Sequence, residues 1–298
     1  DALSRSATFD PAARASAARL EAAEASIRQA DVGPRPVIGA ELEDVAGTGP
    51  YAPVDRAQST VYYERTWERG GKREARTNAA RADLATVRKR TELRKLDTLA
   101  AVQAAWVDAQ AAQATVVVAE ERLALAVRLQ GEVSRRVNLA LDPLFAGERA
   151  NTAVAQARIG RDQALENARI ARAALASWWG GTEPFEIDIA AFAQTDTKQQ
   201  PVVERPDLGL LATERDAADA RVRLEQARSV ADPTIRAGVR HFRDGDDVAL
   251  VLGGSIPLGG RDANRGNVEK ARAERLAAEA EIAVAQAERD REVERLEE

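Results

Sequence analysis

Two stretches of the chain pass through the same order of local signals, and this internal repeat limits the fold more than any other feature of the sequence. Gln29-Ala30 leads over six residues to Pro36, and Gln226-Ala227 leads over six residues to Pro233. Each proline opens a β-rich stretch, and a second such stretch follows, ending in Gly70-Gly71-Lys72 or Gly259-Gly260-Arg261. A long Ala- and Arg-rich run then begins. The order helix, strand, strand, long helix is therefore written twice, and a period of this kind is recognised before any single element is assigned.

The predicted boundaries follow. Residues 1–180 form the first repeat: helix 10–32, strands 37–45 and 59–69, a long helix 72–136 and a return helix 143–179. Asp10-Pro11 is a good helix start, with Asp as N-cap and Pro at the first helical position. The long run has no proline and one glycine, Gly131, so its roughly 65 residues make about 98 Å of helix. Leu84, Val87, Leu93, Leu96, Leu99, Val102 and Trp106 recur at spacings of three and four, the mark of a coiled-coil-like helix. Helices 72–136 and 143–179 should fold into an antiparallel hairpin with its tip near Asn138. Residues 181–202 read as a linker. Residues 203–298 form the second repeat: helix 206–230, strands 234–243 and 247–258, and a long helix 264–298. Against the first repeat it is truncated, with about 30 further helical residues and a return helix expected beyond it.

Composition agrees with a mainly α chain carrying a small β part. Hydrophobic residues make up 45% and aromatics only 4%, and Ala, Glu, Arg and Leu dominate the periodic runs. A net charge of −5 gives no electrostatic footprint for nucleic acid. Cysteine is absent, which rules out disulfides and thiolate chemistry within the chain. Apolar runs of about 18 residues, the signature of a membrane helix, do not occur. That leaves open a membrane β-barrel, whose alternating strands give a weaker signal.

The strand pairs raise that possibility directly. Aligned on their Gly-Gly, Val61, Tyr63 and Trp67 match Leu250, Leu252 and Ile256, two or four apart and so on one face. Tyr62, Glu64, Thr66 and Glu68 occupy the other. Strands of about 10 to 11 residues are long enough to cross a bilayer at a tilt. Four strands do not close a barrel, since the smallest has about 8. Completion by other chains and packing on helices in a soluble bundle both remain open at this point. Arg65 and Arg69 fall on the apolar face. Arg65 is the harder to place, because a mid-membrane arginine facing lipid costs about 2–4 kcal/mol.

Further motifs carry a resemblance. Glu68-Arg69-Gly70-Gly71-Lys72-Arg73, Arg205-Pro206-Asp207-Leu208, Asp232-Pro233-Thr234-Ile235, Ser255-Ile256-Pro257-Leu258 and Asn264-Arg265-Gly266-Asn267 follow in order over nearly the whole chain. With them the chain resembles the TolC-like outer membrane efflux proteins, and most of all their heavy-metal branch, the outer membrane factors of cobalt–zinc–cadmium and copper/silver systems. The resemblance implies a homotrimer giving four strands each to one 12-stranded barrel in the bacterial outer membrane, with the helices forming a periplasmic tunnel. Segment 181–202 would lie in an equatorial belt. A periplasmic adaptor and an inner-membrane pump of the RND type would be the partners. The function implied is passive: an exit duct for divalent heavy-metal cations, without cofactor, catalytic residue or resident metal. The alternatives are a periplasmic adaptor, which flanks one hairpin with a lipoyl-like domain, and a soluble coiled-coil scaffold.

The candidate site residues are of two kinds. Arg136, Val137, Asn138, Leu139, Ala140, Leu141 and Asp142 form the hairpin tip, assigned to partner docking and gating from location rather than chemistry. Gly70, Gly71, Lys72 and Arg73, with Gly259, Gly260 and Arg261, form the strand-to-helix corners, where glycines permit the bend and the basic pair marks a membrane edge. An anion nest before the helix is the competing reading of Gly70 to Arg73. Three departures from the family pattern stand out: Arg69 where an apolar residue is usual, a tip without glycine, and the short second repeat. His241 is the single histidine and reads as structural. Asp244, Asp246 and Asp247 read as a solvated hairpin turn, with calcium as the alternative. Trp178-Trp179 reads as packing. The sequence contains no HExxH, Walker A or GxSxG motif.

Overall fold

A computed structural model describes residues 11–51, 54–181, 185–189 and 206–297. The N-cap assigned to Asp10, the linker residues 182–184 and 190–202, and Arg205 lie outside the described residues. The elements are α1 (Pro11–Ala30), β1 (Val37–Glu43), β2 (Gln58–Thr66), α2 (Lys72–Asn138), α3 (Leu144–Ser177), α4 (Pro206–Arg228), β3 (Thr234–Phe242), β4 (Asp247–Ser255), a one-turn helix α5 (Gly260–Ala263) and α6 (Arg265–Glu297). The chain divides into two compact units, residues 17–92 with 204–298 and residues 1–16 with 93–203.

The first unit holds the sheet. Its order is β1-β2-β3-β4, antiparallel throughout, so the two strand pairs sit side by side with β2 against β3. The registers Tyr63↔Ala237↔Leu252 and Val61↔Val239↔Leu250 place the matched residues of β2 and β4 in common rows on one face. Antiparallel pairing with period-two alternation then fixes every other side chain to a face. Helix α4 packs along α6 and is tied to the start of α2 by Arg221–Asp83 at 2.7 Å and Arg90–Glu214 at 2.6 Å.

The strands are shorter than the sequence suggests. β2 ends at Thr66 rather than residue 69, β1 at Glu43 rather than 45, and β4 at Ser255 rather than 258. At β2 the cause is local. Trp67 donates one further backbone bond to the Pro233 carbonyl, and Glu68 is then drawn off the ladder by the Arg76 guanidinium. The helix expected from residue 264 is present as α6, from Arg265. The turn α5 precedes it, and Asn264 separates the two, its side chain donating to the Glu225 carbonyl at the end of α4 at 2.7 Å.

The second unit is built on α2 and α3. Two series of buried positions on α2 step by seven, Thr77, Leu84 and Thr91 in the first unit and Val102, Ala109 and Val116 in the second, with Ala79, Thr86 and Gln110 buried beside them. Seven-residue spacing is that of a coiled-coil seam. Facing that seam, α3 buries Ala164, Ala168 and Leu175. Small residues at these positions bring the helix backbones close. One core joins Val116, Ala164 and Ala168, and another joins Ala109, Leu175 and Trp179. Trp179 meets Phe185 edge-on at 5.3 Å, and Gln110 donates to the Asp188 carbonyl at 2.6 Å, so residues 185–189 lie against α2. Trp178-Trp179 follows the last turn of α3, with the Trp179 ring covering Gly181 so closely that a Cβ there would collide with the indole.

Candidate functional site

The sheet carries two unlike faces. Ile38 and Leu42 on β1, Val61 and Tyr63 on β2, Ile235 and Val239 on β3, and Leu250 and Leu252 on β4 share one face by register. All are exposed, Leu250 to 83% and Leu252 to 81%. This is a contiguous bare apolar surface of the kind that marks contact with a membrane or a partner.

The other face is polar and satisfied from within. Two β3 arginines each reach across β2 to β1. Arg236 bonds Glu64 at 3.2 Å and Glu41 at 2.8 Å, with its guanidinium stacked 3.9 Å from the Tyr62 ring centre. Arg240 bonds Thr60 and Gln58 at 2.9 Å each, and Glu43 at 2.6 Å. Planar guanidinium forks suit such multi-point contacts. Tyr62 fits because its cross-strand neighbours are Gly39 and Gly238: a Cβ on Gly39 would lie 2.3 Å from the ring, and one on Gly238 would lie 2.7 Å from the Val61 carbonyl. With Asp247 of β4, this face sets four carboxylates against two guanidiniums. The period-two spacing of Glu41 and Glu43, and of Thr234, Arg236, Gly238 and Arg240, is the sequence signal for this clasp, and reading the apolar face alone missed it.

The first strand-to-helix corner is held by ion pairs. Gly70 and Gly71 both adopt positive φ, 71° and 67°. Gly70 also lies against Val230, where a Cβ would meet the side chain at 2.6 Å. Lys72 pairs with Asp232 at 2.6 Å, and the same carboxylate accepts the Arg69 backbone N–H at 2.9 Å. Arg73 pairs with Asp31 at 2.8 Å. Arg76 bonds Glu68 and the carbonyls of Ala30 and Val32. The basic pair singled out from sequence is therefore occupied inside the corner. At the second corner Gly259 takes positive φ, 80°, and opens α5, whose first residues are Gly260 and Arg261. The Arg261 side chain lies outside the described residues.

The hairpin tip is a closed turn. α2 ends with Leu141 N–H bonded to the Arg136 carbonyl and Ala140 N–H to the Val137 carbonyl, both at 2.9 Å. This is the Schellman arrangement, which places one residue in the left-handed region. That residue is usually glycine, and here it is Ala140, with φ 55°. Asn138 and Leu139 complete the last turn. Arg136 compensates by gripping Asp142 with two bonds, 2.7 and 3.0 Å. The hydrogen bond from Arg136 holds the Asp142 carboxyl below the ordinary carboxylate range, against a smaller desolvation effect. Leu139, Leu141, Leu144 and Phe145 are all well exposed, so the turn presents an apolar tip on a polar stem.

His241 accepts or donates a 2.6 Å bond with Asp246 beside the β3–β4 turn, where Asp246 has φ 55°. Among the described residues no cluster of three or more His, Asp or Glu side chains is arranged to hold a metal, and no helix is long and apolar enough to cross a membrane.

The helical hairpin and the four-stranded sheet with one bare apolar face make up a fold shared with solved outer-membrane channels. The fold matches that of the outer-membrane channel OprN with TM-score 0.75 at 18% identity, covering 96% of this chain and 70% of that one. It matches CusC, described in terms of transmembrane channel formation, with TM-score 0.73 at 16% identity, covering 95% and 72%. For the outer membrane protein VceC from Vibrio cholerae the values are 0.72 and 19%, over 96% and 75%. In sequence the chain is similar to the nickel and cobalt resistance protein CnrC of Cupriavidus metallidurans, 28% identical over 289 residues, 93% of this chain and 66% of that protein. It is also similar to the cobalt-zinc-cadmium resistance protein CzcC of the same organism, 28% identical over 86% of this chain and 62% of that protein. No protein-family model matches. The resemblance read from the motifs, to the heavy-metal branch of the outer membrane factors, is thus borne out by the relatives. The chain spans slightly less than two thirds of the length of those relatives.

Proposed function

We propose that this chain forms part of an outer-membrane channel of a tripartite efflux system, the passive exit duct for divalent heavy-metal cations. The observation that carries the reading is the two-faced sheet. In a closed barrel, residues alternate between lipid and lumen along every strand, and this sheet has an apolar face with no cover beside a polar face that is internally paired. Its outer strands β1 and β4 are open edges among the described residues. Unpaired edges are templates for further strands, and three copies in a ring satisfy every edge with 12 strands, an even count of the kind such barrels have. The surplus of carboxylates on the polar face suits the passage of cations. Such a duct works without a catalytic residue, because the energy and the selection come from the pump.

The tip supplies the partner surface. Its exposed leucines and Phe145, with a turn fixed by Arg136 and Asp142, fit a periplasmic adaptor, and the same residues are placed to gate. In the full-length protein, Leu139→Ser with Leu141→Ser should abolish adaptor capture and metal tolerance, while thermal unfolding stays within about 0.5 kcal/mol of wild type, as for exposed positions. The decisive test of the whole reading is the mass and location of the full-length protein in mild detergent. A trimer recovered from outer membranes is expected. A soluble monomer overturns the channel.

A further inference from the structure

The corner between β2 and α2 contains a cleft of about 400 Å³, whose charged lining residues are Arg65, Glu68, Lys72 and Arg73. Three of these four are neutralised inside the protein, Glu68 by Arg76, Lys72 by Asp232 and Arg73 by Asp31. Among the described residues Arg65 has no such partner. The same is true of the guanidinium of Arg69, two residues beyond Trp67. Two cations are therefore left without counter-charge, Arg65 in the lining of the cleft and Arg69 next along the chain from Glu68 of that lining.

The position of Arg65 explains why this is tolerable. It lies on the apolar face in the row Arg65↔Ile235↔Gly254, with only the row Thr66↔Thr234↔Ser255 beyond it. It stands at the end of the wall, where the penalty for a lipid-facing cation falls to about 0–1 kcal/mol. Trp67 follows on the same face, 64% exposed, and also lines the cleft. Indole rings with a polar edge settle at the headgroup level of a bilayer. The opposite end of the sheet carries Asp44, Asp244 and Asp246 in its turns and Asp247 at the start of β4, with Arg56 paired to Asp244 at 3.7 Å.

We propose that Arg65, aided by Arg69, binds the phosphate of an anionic glycerophospholipid in the leaflet that meets the helix end of the sheet. Its acyl chains lie along Tyr63, Ile235 and Leu252, and Trp67 packs beside the glycerol. This site rests on the channel reading, because the apolar face must be in a bilayer for a lipid to reach it. Guanidinium forks match phosphate geometry in two-point contacts, and the charge on the two side chains selects an anionic over a zwitterionic headgroup.

The test uses the full-length protein, delipidated in mild detergent and titrated with short-chain phosphatidylglycerol while bound lipid is counted by native mass spectrometry. Wild type should bind one lipid per protomer tightly, and Arg65→Gln with Arg69→Gln should weaken binding about 30-fold, the effect of two cations near an anionic surface. Short-chain phosphatidylcholine should bind weakly to both proteins, and inorganic phosphate should not displace the lipid. Equal phosphatidylglycerol affinity in wild type and variant overturns the site, as does full displacement by inorganic phosphate. Trp67→Ala, which leaves all charges in place, should weaken the lipid without restoring phosphate competition, and no effect of it removes the glycerol contact from the proposal. A protein that is trimeric in the outer membrane but indifferent to Arg65 sinks only this inference. A protein outside the membrane sinks the channel reading with it.

Discussion

The sheet and the α2–α3 pair solve burial in opposite ways. In the helix pair the buried seam is made of Val102, Ala109, Val116, Ala164 and Ala168, and Leu175 is among its few large members. In the sheet the large residues Leu250, Leu252, Ile38 and Tyr63 are outside, and what the strands share with one another is a network of arginines, carboxylates and hydroxyls. Helices satisfy their own backbone, so small residues suffice to bring two of them together. Strands satisfy theirs only through neighbours, so the sheet is held by its ladder and polar clasps while its apolar residues stay exposed. An exposed leucine here is part of a contiguous contact surface rather than a packing defect.

The sharpest break of that comparison is Leu175→Ala. Leu175 is 0% exposed in the α2–α3 core, and truncation there should cost about 2–5 kcal/mol, read as a shift in the urea midpoint of helical circular dichroism. A loss below about 1 kcal/mol would mean that the seam is not a packed core.

Next comes a matched pair on one strand. Leu250→Glu puts a charge on the bare face and should reduce assembly of the proposed trimer by roughly 2 kcal/mol, less than the arginine penalty at mid-bilayer. Val251→Glu, one residue on, faces the polar side diagonally between Arg236 and Arg240 and should change assembly by less than about 1 kcal/mol. Equal sensitivity at both positions would end the two-faced account.

Glycines give a finer test. Gly238→Ala forces a Cβ against the Val61 carbonyl and Tyr62, and should cost about 1–3 kcal/mol. Gly253→Ala, on the same polar face with open space around it, should lie within about 0.5 kcal/mol of wild type. Thermal unfolding of the two variants in detergent distinguishes them.

The smallest effect concerns acid and the tip. Because Arg136 lowers the folded-state pKa of Asp142, that carboxylate contributes stability above its unfolded-state value. The contribution is lost as pH falls through the lowered folded value, below the ordinary carboxylate range. Wild type should therefore show an acid step in the order of the turn, followed by a backbone amide signal of Leu141. Asp142→Asn should have lost that contribution already at neutral pH and show a flatter acid limb. An unchanged step would assign the acid response to another carboxylate.

Much of this architecture was legible because punctuation and periodicity are local. Pro36, Pro233 and the Gly-Gly pairs mark the strands and their corners, and the three-four spacing of Leu84 to Trp106 marks the long helix. The pairing of Val61 with Leu250 as members of one face also followed from alternation. What escaped the sequence was decided by residues far apart along the chain. The one-turn helix α5 is set off from α6 at Asn264, whose side chain reaches Glu225. Lys72 and Arg73 read as corner residues from the sequence, but their partners there, Asp232 and Asp31, come from elsewhere in the chain. The Arg236 and Arg240 clasps needed the β2–β3 register, which alternation alone does not supply. For the tip, the turn was readable, whereas the Arg136–Asp142 grip that replaces a glycine was not.

The β2–β3 seam also dictates an order of events in folding. Thr66 and Thr234 touch across 168 positions of chain, and closing a loop of that size costs about 4–5 kcal/mol of chain entropy before any contact offsets it. Each strand pair has only a short connection to close, so the two hairpins form early and the seam late. Until then each hairpin carries two raw edges and an apolar flank, the state most prone to pairing with the wrong chain. The arginines of β3, whose partners all lie on β1 and β2, act as the latch that makes the late, correct pairing worth waiting for.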